Sequence, residues 1–156
     1  MNREPRITAA PIRKRLHVNA PIEKAFRTFT ARMHEWWPRD HSIVRDGERV
    51  AIVIEPEAGG RWFERSSSGA EIEWGRVEVF DAPRRLVLIW QLNGAFAFDP
   101  DFRTEVELRF ISEGDDCTLV EFEHRDLDRY ADPKVPEMMN RGWGQILEQF
   151  VAAGRT

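Results

Sequence analysis

The chain has 156 residues, 42% of them hydrophobic and 32% charged, with a formal net charge of -4. This length and balance fit one folded domain and exclude a disordered chain, and acidic residues interspersed among the Arg residues exclude a clustered basic surface for nucleic acid. A lone cysteine, Cys117, excludes an intramolecular disulfide and a four-cysteine zinc site, and no stretch reaches the roughly 20 apolar residues of a membrane helix.

The start, MNREPRITAAPIRKR, lacks the apolar core of a signal peptide, so a cytoplasmic protein is expected. Residues 1–10 read as a loose arm. From Ile12 to Val18 the chain alternates, with Ile12, Lys14, Leu16 and Val18 on one face and Arg13, Arg15 and His17 on the other, the period of a half-buried strand. Asn19 and Pro21 signal a helix start. Ile22, Ala25, Phe26, Phe29 and Met33 then recur at helical spacing, so 21–32 is predicted as an amphipathic helix. Pro38 stops any continuation. The stretch HEWWPRDH, residues 34–41, is either a second short helix or a structured loop.

Strand signals follow from residue 49 to residue 124. Arg49–Ile54 is β-branched and apolar, and Gly59-Gly60 turns the chain into Arg61–Arg65. Glu71–Phe80 reads as a long strand with Ile72, Trp74, Arg76, Glu78 and Phe80 on one face. Asp81-Ala82-Pro83 makes a turn before Arg85–Leu92, and the stretch from Asn93 to Phe102 reads as a longer excursion. Thr104–Ile111 and Cys117–His124 alternate again around a turn at Gly114-Asp115. Short turns between consecutive strands imply an antiparallel meander. Pro136 suits the first turn of a last helix carrying Trp143, Ile146, Leu147, Phe150 and Val151, with Gly154 near its end. The fold class is α+β, a curved antiparallel sheet of six to seven strands with two short helices after the first strand. If the sheet wraps the long C-terminal helix, a void is expected between the two.

Motifs for common chemistries are missing, including the P-loop, Gly-x-Ser-x-Gly and His-Glu-x-x-His. In HEWWPRDH, His34, Glu35, Asp40 and His41 are metal-ligand types, but their spacing fits no helical ligand pair and Pro38 breaks the register. They read as solvated groups flanking Trp36 and Trp37, which cover one end of the core or cavity, and no metal or other cofactor is expected. In Arg61–Arg65, Trp62 and Glu64 are taken as inward, since the other choice buries two arginines. Arg76 shares a face with Trp74, and His124 ends the face of Val120 and Phe122. A charge on an apolar face costs free energy unless paired, so a Glu64–Arg76 pair with His124 nearby is expected. Trp62, Trp74, Trp90 and Trp143 fit plain core and cavity lining equally well by periodicity.

Several segments resemble the START-like superfamily, also called SRPBCC, in the branch similar to the C-terminal domain of the activator of heat-shock protein 90 ATPase. They are Val18-Asn19-Ala20-Pro21 with Phe26, Trp36-Trp37-Pro38, Gly59-Gly60-Arg61-Trp62-Phe63-Glu64, Gly75-Arg76-Val77, and Pro83-Arg84-Arg85-Leu86-Val87 leading to Trp90. Glu123-His124 and Gly142-Trp143 complete the set, which keeps the family's order across residues 12–153 of one START-like domain spanning 1–156. The resemblance implies a helix-grip fold with a hydrophobic cavity under the C-terminal helix. Members of the superfamily bind lipids, hormones or polyketides, and some catalyse cyclisation or hydrolysis. No counterpart of the eukaryotic activator's additional N-terminal domain is expected within these 156 residues, and no shared catalytic set carries over.

The expectation is therefore a binder of a small, largely hydrophobic or lipid-like ligand, as monomer or homodimer, rather than an enzyme, with catalysis left open. Its ligand-binding residues are Trp36, Trp37, Trp62, Glu64, Trp74, Arg76, Trp90, His124 and Trp143. The alternatives are a chaperone-contacting module and a cavity-based cyclase or hydrolase with Glu64 and His124 as its acid or base.

Overall fold

In a computed structural model, which describes residues 9–155, seven strands form one antiparallel sheet in the order β1-β7-β6-β5-β4-β3-β2. The strands are β1 (Ile12–Val18), β2 (Arg49–Ile54), β3 (Arg61–Ser66), β4 (Glu71–Asp81), β5 (Arg85–Trp90), β6 (Thr104–Ser112) and β7 (Thr118–Arg125). All pairings from β2 to β7 join neighbours in sequence, and β1 closes onto β7. The predicted meander is thus present. Of the expected loose arm, all but residues 9 and 10 lies outside the described residues.

Between β1 and β2 run α1 (Ile22–Thr30) and α2 (Met33–Trp36), and α3 (Lys134–Gly154) ends the fold. Asn19 does not cap α1: Pro21 holds that position in an extended conformation, with no side-chain hydrogen bond to the helix. HEWWPRDH takes both predicted forms, since α2 covers its first half and Pro38 forces the rest into a loop. On α3 the buried residues include Met139, Trp143, Ile146, Leu147 and Phe150, a stripe that packs onto the sheet beside α1 and α2. A curled sheet gripping one long amphipathic helix is the α+β helix-grip arrangement.

One strand departs from its expected alternation. Against β3, Trp62 pairs with Gly75 but Phe63 pairs with Glu73, so Trp74 is an extra residue; against β5, Glu78 is another. Each bulge shifts the parity of the side chains. Trp74, Val77 and Phe80 face the core in consequence, and Arg76 does not. Glycine is required beside the first bulge, because a Cβ on Gly75 would lie 1.7 Å from the backbone oxygen of Ile89.

Candidate functional site

The interior is a continuous run of aromatic rings. At one end Phe26 packs against Phe80 and Phe110, and Phe29 packs against Trp36 and Phe150. Trp36 meets Trp37, and from there the rings are mainly indoles: Trp37 against Trp74 and Trp143, Trp62 against Trp74 and Trp90, and Trp90 against Trp143, with Phe122 also packed on Trp143. Over this second end lies a cleft of about 350 Å³ between the sheet and α3. Trp37, Trp74, Trp90 and Trp143 line it, and Gly142 and Met139 of α3 form part of its wall. Its mouth carries Asp40, His41 and Met138, the last 44% exposed. The volume falls within the roughly 300–1,000 Å³ of small-molecule sites.

The indole N–H groups distinguish these rings. Trp37 donates to the His41 carbonyl at 2.9 Å, and Trp90 donates to the Leu92 carbonyl at 3.1 Å and the Tyr130 hydroxyl at 3.0 Å. Trp143 donates to His124 Nδ1 at 3.1 Å. Trp74, 1% exposed, and Trp62, fully buried, have no partner for their N–H within the protein, and of the two only Trp74 lines the cleft. An unpaired buried donor costs about 1–3 kcal/mol, so Trp74 is the one cleft indole whose donor capacity is unspent.

His124 lies beneath the cleft, not in its lining. Since an indole only donates, His124 Nδ1 accepts from Trp143, and Nε2 carries the proton toward Thr104 Oγ1 at 2.8 Å. Thr104 in turn donates to the Trp90 carbonyl at 3.2 Å. Burial pushes the His124 pKa down to about 3, so the ring is neutral with both nitrogens occupied. Its role is to hold Trp143 and Trp90.

Glu64 is fully buried and accepts from Ser42 Oγ at 2.9 Å and the Ile43 amide at 2.6 Å, fixing the loop at the cleft mouth. Its expected partner, Arg76, is a correction. The β4 bulge turns Arg76 to the outer face, where it pairs with Glu73 at 2.9 Å. The interior cation is instead Arg49, 7% exposed, which donates to the carbonyls of Trp37 at 2.8 Å and Pro38 at 3.1 Å. Burial lowers the Arg49 pKa, and the Glu64 charge opposes that shift. Together Glu64 and Arg49 tie residues 37–43 to β2 and β3, so the mouth is positioned by hydrogen bonds to two buried charged groups.

The structure therefore brings Trp37, Trp74, Trp90 and Trp143 to one cleft. Trp36 and Trp62 lie in the surrounding aromatic core, Glu64 and His124 act one layer behind, and Arg76 is outside. Sequence reading missed Gly142 as a wall residue, although the GWG spacing on α3 marks where the helix carries no side chain beside Trp143. It also missed Phe96, which lines the cleft from the 91–103 loop with a left-handed φ of 56°. Asp40 and His41 do not gather with His34 and Glu35. Glu35 pairs with Arg32 at 3.0 Å, while His41 Nδ1 sits 3.1 Å from Asp40 Oδ1 at the mouth.

The profile of the family described as activator of Hsp90 ATPase homolog 1-like protein matches residues 19–154. An anthrahydroquino-gamma-pyrone synthase, Txn09, solved as a complex, is 32% identical at a TM-score of 0.66, over 93% of this chain and 97% of that one. The self-sacrificing resistance protein CalC from Micromonospora echinospora is 31% identical at a TM-score of 0.67, over 95% and 92%. Protein MLL2253 from Mesorhizobium loti, 18% identical at a TM-score of 0.62 over 92% and 96%, shares the fold. No curated protein matches the chain. No helix among the described residues is long and apolar enough to cross a membrane.

Proposed function

Because this chain belongs to the activator of Hsp90 ATPase homolog 1-like family, whose fold holds a cleft between sheet and last helix, we propose that it binds a small, flat, largely aromatic molecule there. The observation that carries the reading is the indole-lined cleft with one unspent donor. Trp37, Trp74, Trp90 and Trp143 offer ring faces and edges to a guest, and the unpaired Trp74 N–H, buried in the cleft wall, is the donor that a carbonyl or similar acceptor on the guest would take once the ring shifts to meet it. The similar synthase supports this guest class, since its name denotes a fused anthrahydroquinone and pyrone. Quenching of tryptophan fluorescence by anthraquinone-type and matched hydrocarbon guests tests it. Saturable 1:1 quenching is expected, and its absence across the panel, with no thermal shift, rejects the reading.

A second reading, a cyclase or hydrolase, draws on one observation: the Asp40–His41 pair lines the same cleft. A carboxylate on Nδ1 orients an imidazole so that Nε2 can take a proton from a guest. In this reading His41, and neither Glu64 nor His124, is the base. Turnover of a bound guest that disappears in His41→Ala while affinity persists separates catalysis from binding alone. A chaperone-contacting module draws only on the family description. Exposed large hydrophobics among the described residues are Val50, Ile111 and Met138, on three separate elements, which does not favour an apolar docking patch.

A further inference from the structure

A second group of chemically active side chains lies at the other end of β6 and β7, away from the cleft. Cys117 has no counterpart in the sequence with which to form a disulfide. The turn between β6 and β7 brings Glu113 and Cys117 face to face, with the Glu113 amide donating to the Cys117 carbonyl at 2.9 Å. Strand β1 pairs with β7 so that His17 is opposite Leu119, next to this turn. His17 Nδ1 consequently sits 3.0 Å from Glu113 Oε1, and the donor atoms of His17, Glu113 and Cys117 all lie within 4.8 Å of one another.

We propose that His17, Glu113 and Cys117 form a binding site for a zinc(II)-class cation. Imidazole, carboxylate and thiolate are zinc's three protein ligand types, and bonds of about 2.0–2.3 Å to each require these three side chains to draw closer around the ion. Thiolate and carboxylate together balance the charge of a divalent ion. One oxygen donor is too few for magnesium or calcium, which require oxygen-rich shells, whereas nitrogen and sulfur select a borderline-soft metal. Three protein ligands leave a fourth position for water. His17 and Glu113 are more than 40% exposed in their side chains, at 64% and 41%, so an ion reaches them from solvent. A bound ion clips edge strand β1 to the β6–β7 turn. The competing account is a plain His17–Glu113 ion pair with Cys117 as a bystander, and the sulfur decides between them.

Cobalt(II), added to the full chain, serves as the spectroscopic probe, and zinc competition against a chromogenic indicator gives affinity. Because Cys117 is the chain's single cysteine, a thiolate-to-cobalt charge-transfer band reports this site alone. The expected result is 1:1 uptake with that band, lost in Cys117→Ser. In His17→Asn, affinity should fall at least about tenfold, since even changes one shell further out cost 10–100-fold. Zinc should also slow alkylation of Cys117. His17 is exposed and Cys117 half-buried, and melting curves of the variants without metal verify folding. Absence of the band, or zinc uptake equal in wild type and the His17→Asn, Cys117→Ser double variant, overturns the site and leaves the cleft reading untouched.

Discussion

The two ends of the aromatic interior are built from different rings and closed to different degrees. At the phenylalanine end, Phe29 and Phe150 are wholly buried and meet edge to face at 5.2 Å, with Trp36 filling the third side. At the tryptophan end the rings also touch, with Trp90 and Trp143 at 5.7 Å, yet the cleft remains above them. Contact between rings is therefore not what leaves the space. Helix α3 spans both ends, presenting Phe150 at one and, at the other, Gly142, where no side chain fills the space beside the cleft. Polar chemistry follows the same division. Trp36 spends its N–H on the Thr28 carbonyl at 2.7 Å, while Trp74 keeps its own in reserve.

Truncation gives the largest expected contrast. Phe150→Ala empties a site closed on all sides, and such changes cost about 3–5 kcal/mol because the neighbours cannot collapse fully. Met138→Ala at the cleft mouth should cost far less, about 0.5 kcal/mol, since the residue is nearly half exposed and lines space that is already open. Denaturant titration of both variants checks this, and equal losses would erase the distinction between the ends.

Acid should strike the tryptophan end next. His124 is held neutral in the fold with a pKa near 3, whereas the unfolded chain's histidine takes a proton near 6.5. Between those values the unfolded state binds more protons, so stability falls as pH falls. Lowering the pH from 6.5 to 5 should cost about 2 kcal/mol from this residue alone, at about 1.4 kcal/mol per unit. Burial also lowers the His34 pKa, which adds a slope of the same sign. His124→Gln, less stable throughout, should show a clearly shallower slope in that window. Glu107 does not interfere, because its loss begins only below its ordinary 4.5. Burial pushes its carboxyl up, but hydrogen bonds from Arg85, Arg125 and Arg109 outweigh that and hold it at about 2.

These contrasts follow lines that the sequence shows unevenly. Periodicity carried the order of strands and helices, and the inward placement of Trp62, Glu64 and His124, because each depends on local alternation along one strand. Arg76 was misplaced because a bulge inserts one residue without any local signature beyond Gly75, and the insertion reverses the side chains that follow until the second bulge at Glu78 restores the face for Phe80. Arg49 looked like the start of an ordinary strand; its inward turn depends on carbonyls eleven and twelve residues earlier that need its guanidinium. The His17–Glu113–Cys117 cluster joins residues nearly a hundred positions apart through strand pairing, which no spacing rule reveals.

A smaller effect sharpens the role of the unspent indole. Trp74→Phe keeps a ring in the wall and removes only the N–H. Affinity for a quinone guest should fall about fivefold, the equivalent of about 1 kcal/mol for one hydrogen bond, while a hydrocarbon of the same shape should lose almost nothing. Equal losses for both guests would show that Trp74 contributes only surface.

The smallest change compares the two ends through one substitution on one helix. A Cβ at Gly142 meets no atom within 4 Å, whereas a Cβ at Gly154 would lie 2.4 Å from Cγ1 of Val18, itself fully buried. Gly142→Ala should therefore stabilise the protein by about 0.5–1 kcal/mol, the ordinary gain of alanine over glycine inside a helix. Gly154→Ala should destabilise it, because Val18 has nowhere to move. The same methyl at position 142 enters the cleft wall, so guest affinity should fall as melting temperature rises. Opposite signs for stability and binding identify space kept open for a guest, at a cost to the fold. If Gly142→Ala raises the melting temperature and leaves affinity unchanged, the guest does not reach α3 and the binding surface lies nearer the Phe96 loop.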